Sequence, residues 1–150
     1  MIIRPYEEAD YDAVSAVHDA ARKIELALAQ LDAAFLPFSV ASEREDFFEY
    51  PHIDVAENDG KIAGFCAYTD EELAWLYVAP ELHRQGIGSA LVAHALQTEP
   101  ELNEIEVLCG NEPARQLYES FGFRVEKIGG GVMPGNETFP VKVYCMRLHS

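Results

Sequence analysis

The stretch LAWLYVAPELHRQGIGSALVAHALQTEPELNEIEVLC, Leu73 to Cys109, restricts this chain's folding more than any other. It opens on an apolar run, LAWLYV, that ends at Ala79-Pro80. Ile87, Leu91, Val92, Ala95 and Leu96 then recur at helical spacing, and Pro100 marks the end of that helix. EIEVLC is a second short apolar run. A strand, a helix and a strand in this order make a parallel crossover, because two parallel neighbours need a long connection between them.

The elements on either side complete the pattern. HIDVAEND and KIAGFCAYT alternate around Asp59-Gly60, a hairpin signal, so part of the sheet is antiparallel. IIRP reads as a first strand. In EEADYDAVSAVHDAARKIELALAQL, Val14, Val17, Ala21, Ile24 and Leu28 lie at helical spacing, and a break near Lys23 is expected to give two helices. FLPFS interrupts with a proline, and EREDFFEYP reads as a further short helix or turn. EPARQLYESF reads as a helix with Pro113 in its first turn and Gly122 just past its end. FRVEKI and VKVYCMRL are expected as the last strands, joined by a long loop, GGGVMPGNETFP. The expected fold class is mixed α/β. A mostly antiparallel sheet of about six to seven strands is flanked by about four helices, with residues 1–150 as one domain.

Charge and cysteines narrow the function classes. The net charge of −15, from 26 acidic and 11 basic residues, opposes binding to nucleic acid, which relies on cations against phosphate. The same surface suits a cationic partner. No stretch approaches the roughly 18–20 apolar residues of a membrane span, and the N-terminus has no basic start followed by an apolar run. Cys66, Cys109 and Cys145 are odd in number and far apart, as expected of reduced thiols in a cytoplasmic protein. No Cys/His cluster has zinc-ligand spacing, so no metal is expected.

Gly86 and Gly88 ahead of the central helix raise a specific question. A Walker A loop requires Gly-Lys-Ser/Thr, and no lysine is present. A dinucleotide fingerprint requires a third glycine, where Leu91 stands. A simpler anion site remains, made of free backbone N–H groups at a helix start, with glycines that let phosphate approach. A loop that merely needs left-handed angles is the structural alternative.

LAWLYVAPELHRQGIGSALVAHAL followed by EVLCGNEPARQLYESFGF resembles the GCN5-related N-acetyltransferase (GNAT) superfamily, and within it small stand-alone bacterial members. That signature is Gln/Arg-x-x-Gly-x-Gly/Ala after a Leu-Tyr-Val-like strand. Asn111, Ala114, Leu117, Tyr118, Gly122 and Phe123 match the family's later segment, and IIRPYEEADYDAV resembles its opening strand and helix. One position departs: the first signature residue is His83, followed by Arg84 and Gln85.

The resemblance implies an acetyl-CoA-dependent N-acetyltransferase. The acceptor would be a small-molecule or peptide amine that attacks directly in a ternary complex. The cofactor pyrophosphate would lie on His83, Arg84, Gln85, Gly86, Ile87, Gly88 and Ser89, mostly on backbone. Leu76, Tyr77 and Val78 would run along its pantetheine arm, with a backbone N–H near Val78 polarising the thioester carbonyl. Asn111, Ala114 or Arg115, and Tyr118 would follow the cofactor along one helix face. Tyr118 would donate toward the departing thiolate; complete transfer from an ordinary tyrosine is uphill by roughly 2 kcal/mol. Glu72 is the candidate base, placed on one strand face with Ala74, Leu76 and Val78, and Asp70, Glu71, Glu106 and His83 are alternatives. Cys109 reads as packing rather than nucleophile. The early helices and the GGGVMPGNETFP loop would border the acceptor pocket; FLPF lines it or is ordinary core, and the acidic run Glu43 to Glu49 attracts an ammonium-bearing acceptor or is a solvated face. A homodimer is possible through an outward apolar edge on VKVYCM. Two other readings stay open: a CoA-sensing module without turnover, and transfer of another acyl group or to another acceptor.

Overall fold

The computed structural model describes residues 1–149. Its strands are β1 (Ile2–Pro5), β2 (His52–Asn58), β3 (Lys61–Tyr68), β4 (Leu73–Val78), β5 (Glu104–Leu108), β6 (Phe123–Met133) and β7 (Asn136–Leu148). Its α-helices are α1 (Tyr11–Leu28), α2 (Phe38–Arg44), α3 (Ile87–Thr98) and α4 (Glu112–Ser120). The expected element order is found, with antiparallel pairing in two sheets ordered β1-β2-β3-β4 and β5-β7-β6.

The sheets meet at one place. β4 and β5 run parallel, and among the described residues they bridge only at their starts, between Glu72, just before β4, and Glu104, where the Asn103 and Glu104 N–H groups donate to the Glu71 carbonyl. Beyond that bridge the strands separate into a fork. The crossover read from the sequence is therefore present, but it joins two sheets instead of continuing one.

β3 is apolar at nearly every position because both its faces are covered. Phe65 and Ala67 pack toward α1 and α2 with Val14, Val17, Phe38, Phe47 and Trp75. Cys66 and Tyr68 pack on the opposite side with Leu91, Val92, Tyr118 and Phe123. The sheet thus holds helices on both faces, and each of them presents an apolar stripe to it.

Three expectations change. α1 runs unbroken through Lys23, because Lys23 brings no glycine, proline or turn residue to stop it. The helix ends instead at Ala29–Gln30, where Gln30 has φ +58°. The expected loop GGGVMPGNETFP is a hairpin: β6 continues to Met133, the chain turns at Pro134-Gly135, and β7 begins at Asn136. Extended glycines are compatible with a ladder, and Pro140 sits where β7 pairs only with β6, which leaves a free edge for a residue without an N–H. β7 is also the middle strand of its sheet, so VKVYCM supplies no outward edge for a dimer.

Candidate active site

The fork exposes one edge of β4. Ala79 N–H donates to the Ala63 carbonyl, and with the pairs Phe65–Tyr77 and Ala67–Trp75 this sets which residues hydrogen-bond to β3. Leu76 and Val78 lie between those pairs, so their backbone groups face the fork. The Val78 carbonyl accepts from His83 Nε2 at 3.1 Å, which requires the proton on that nitrogen. Among the described residues, the Leu76 and Val78 N–H groups have no protein partner across the fork. Tyr77 directs its backbone toward β3 and contributes its phenol, which donates to Glu25 Oε1 at 3.0 Å.

Beside this edge α3 begins without a side-chain cap. Gly86 is its N-cap at φ +81°, and the first intrahelical bond runs from Ala90 N–H to the Gly86 carbonyl at 3.0 Å. The N–H groups of Ile87, Gly88 and Ser89 are consequently left without helix partners, at the positive end of the helix dipole. Arg84 also adopts a left-handed backbone, φ +66°. His83, Arg84, Gln85, Gly86 and Ser89 are exposed, whereas the buried Ile87 side chain anchors the turn. A Cβ on Gly86 would meet nothing within 4 Å, and one on Gly88 would come within 3.3 Å of Leu117. The surface here is backbone, open to an anion, and it fits a diphosphate.

α4 forms the far wall. Asn111 accepts from Ala114 N–H at 3.4 Å and so caps the helix, and Pro113 occupies its first turn. Asn111, Ala114 and Tyr118 share the inward face, while Pro113 and Gln116 are exposed. Tyr118 is buried against Phe123, and among the described residues its hydroxyl has no hydrogen-bond partner. Burial foremost, then the Glu25 carboxylate, raises its pKa above the tyrosine range, so this phenol keeps its proton.

On the α1 side of β4 lies a cavity of about 530 Å³. His18, Arg22 and Glu25, spaced i, i+4 and i+7, line it from one face of α1. Trp75 and Tyr77 line it from β4, Glu72 from the residue just before that strand, and Glu45 from the end of α2. His18 is 2% exposed and pairs through Nδ1 with Asp19 at 2.9 Å. Burial, opposed by Asp19, lowers the His18 pKa and keeps the ring neutral. Burial pushes the Glu45 carboxyl up to about 7, and Arg22 pulls against it.

Glu72 is on a different face from the one expected. The β3–β4 register shifts between Ala67 and Tyr68, so Ala74 is an extra, bulged residue opposite that step. Leu73 then falls on the α3 side with Leu76, and Glu72 joins Trp75 and Tyr77 at the cavity. Strict period-two counting fails across the bulge. Burial first, then the charges of Glu106, Glu104 and Glu71, raises the Glu72 pKa. Glu106 also lines the cavity.

Other expectations resolve by burial. Leu36 lines the cavity, Phe38 is core, and Phe35 packs against Leu26 and Met133 with Lys23 over its ring. Of the run Glu43 to Glu49, Glu45 is the one carboxylate among the described residues that lines the cavity, beside Arg44. Cys109 is half-buried, and burial raises its thiol pKa, which disfavours the nucleophilic thiolate. No group suited to hold a metal ion occurs among the described residues. His18, Arg22 and Glu25 went unrecognised in the sequence. Their polar i, i+4, i+7 spacing beside the apolar stripe was the available signal.

A mixed α/β protein with a forked sheet, an open helix start at the fork and an adjoining cavity is the class these features define. A family model described as acetyltransferase (GNAT) domain matches residues 44–125, more than half of the chain, and the chain belongs to that family. Peptidyl-lysine N-acetyltransferase YiaC of Escherichia coli is 40% identical over 72 residues, 47% of this chain and 49% of that protein. The chain spans about half the length of the curated relatives it matches. A crystal structure of a GCN5-related N-acetyltransferase from Rhodopseudomonas palustris superposes with TM-score 0.78 at 16% identity, covering 99% of this chain and 95% of that one. The structure of yncA from Salmonella typhimurium with its cofactor acetyl-CoA gives TM-score 0.67 at 19% identity, covering 99% and 92%. At these identities the structural likeness is one of fold.

Proposed function

We propose that this chain transfers an acetyl group from acetyl-CoA to a primary amine, by direct attack within a ternary complex. The observation that carries the reading is the pairing of two unsatisfied backbone surfaces: the α3 start and the fork edge of β4. Acetyl-CoA supplies the acyl group as a thioester. The N–H groups of Ile87, Gly88 and Ser89 hold the diphosphate, with His83, Arg84, Gln85 and Gly86 shaping the loop around it. Leu76 and Val78 bind the pantetheine amides as an added strand does, and the Val78 N–H polarises the acyl carbonyl. Asn111 and Ala114 line the opposite side.

The cavity supports the acceptor end. Its carboxylates suit a cationic amine, and Glu72, with its raised pKa, accepts the amine proton. Tyr118 holds its own proton too firmly to surrender it outright, so it serves as a hydrogen-bond donor to the departing sulfur, with water completing the transfer. No covalent enzyme intermediate is required. The name of the peptidyl-lysine relative supports a peptide amine as one acceptor to test. The charge of −15 supports a partner other than nucleic acid. We further propose residues 1–150 as one catalytic domain. No helix among the described residues is long and apolar enough to cross a membrane.

The test is thiol release from acetyl-CoA across a panel of amines and lysine peptides. Tyr118→Phe is expected to lower kcat roughly 10–100-fold with little change in CoA affinity. An unchanged kcat, with chemistry rate-limiting, removes Tyr118 from the mechanism. CoA binding without thiol release from any amine would favour the sensing module.

A further inference from the structure

One carboxylate spans the fork. Glu25, in the last turn of α1, accepts from the Tyr77 hydroxyl through Oε1 at 3.0 Å and from Asn111 Nδ2 through Oε2 at 3.3 Å. Tyr77 belongs to β4 and the first sheet. Asn111 begins α4, directly after β5 of the second sheet. Arg22 also donates to Oε1 and balances the charge.

The surrounding backbone reinforces this bridge. Gly110, at φ +107°, lets the loop after β5 press against the end of α1, and a Cβ there would lie 2.5 Å from the Leu28 carbonyl oxygen. Asn111 has no freedom to turn its amide, because its oxygen is committed to Ala114 N–H. Its nitrogen must therefore face Glu25. A surface ion pair with Arg22 alone would explain neither the Tyr77 bond nor the Asn111 bond.

We infer that Glu25 is a positioning residue for acyl transfer: by holding Tyr77 and Asn111 from opposite arms of the fork, it sets the width of the cleft. That width decides the distance between the β4 edge, where the acyl carbonyl rests, and Tyr118 on α4. Small misplacements matter in such a site, since about 1 Å can cost on the order of 100-fold in rate. The inference rests on the acetyl-transfer reading.

The Glu25→Gln variant tests it with the shape preserved. A glutamine has one acceptor oxygen in place of two, and Tyr77, Arg22 and Asn111 all donate, so at least one bond must be lost. With an acceptor amine that the native protein acetylates, kcat is expected to fall roughly 10-fold or more. The Kd for CoA is expected to stay within about threefold, because the α3 backbone is untouched. Tyr77→Phe is expected to lower kcat in the same direction, and the double variant to lose less than the product of the single losses. Unchanged kcat in Glu25→Gln overturns the inference. So does a loss matched by equal losses of CoA affinity and Tm, which would mark a purely structural role. If the native protein acetylates no amine, the transferase reading fails separately. Hydrogen exchange then decides the bridge itself: residues 109–111 are expected to exchange faster in Glu25→Gln, and unchanged exchange overturns it.

Discussion

α3 and α4 each follow a strand of the fork, yet their first turns are built in opposite ways. α4 is closed from within: Asn111 caps it, and the first-turn Glu112 accepts from Arg115 and from the Tyr144 hydroxyl. α3 starts at a glycine, with neither a side-chain cap nor an acidic residue in its first turn. A glycine in place of a capping side chain costs only about a few tenths of a kcal/mol, so the open start of α3 is a small sacrifice of stability. One helix meets its donors inside the chain, and the other leaves them where an anion can reach them. The contrast supports the proposed anion site better than the glycine spacing does, because glycine spacing also serves ordinary turns.

Making α3 resemble α4 should have the largest effect. Gly86→Asp places a carboxylate at the open start, and CoA affinity is expected to fall more than about 100-fold, beside a stability cost of about 1–2 kcal/mol from the left-handed backbone at φ +81°. Isothermal titration checks this, and near-native affinity would show that the diphosphate is held elsewhere. Opening α4 should be milder. Asn111→Ala removes the cap and the bond to Glu25, at an expected cost of about 1–2 kcal/mol in chemical denaturation.

A smaller effect separates the cavity from both helix starts. Glu45 titrates near 7 in the folded protein, above the usual carboxylate range, because burial disfavours its charge. Between about pH 4.5 and 7 the folded state therefore binds more protons than the unfolded state, and stability falls as pH rises through that window. Glu45→Gln should raise Tm relative to the native protein at pH 8 and lose that advantage near pH 4. An equal gain at both pH values would show that ionisation is not the cause. The smallest effect concerns salt. Donors at the α3 start are local, and the acidic surface opposes an anion at long range, so screening relieves repulsion. CoA affinity is expected to change less than about threefold between roughly 0.05 and 0.5 M salt. A steep loss would reveal a cationic contribution from Arg84.

Much of the fold was legible in the order of apolar periods, and the α3 start was legible in Gly86 and Gly88. The errors have local causes. Nothing at Lys23 stops a helix, and the predicted break there ignored this. The glycines of GGGVMPGNETFP looked like loop material because composition does not reveal whether a partner strand is present. The bulge at Ala74 moved Glu72 to the cavity face, and a bulge leaves no reliable mark in a six-residue strand. Glu25 was illegible for a different reason: its partners lie 52 and 86 residues away.

By itself, the chain's pattern of apolar residues, turns and caps determined most of the elements, their order and the open helix start. Each of these follows from interactions between residues near in sequence. Only the tertiary structure decided that the crossover strands part into a fork, that α1 spans it, and that His18, Arg22, Glu25, Glu45 and Glu72 surround one cavity. Those outcomes depend on packing and hydrogen bonds between distant segments, whose partners no local spacing specifies.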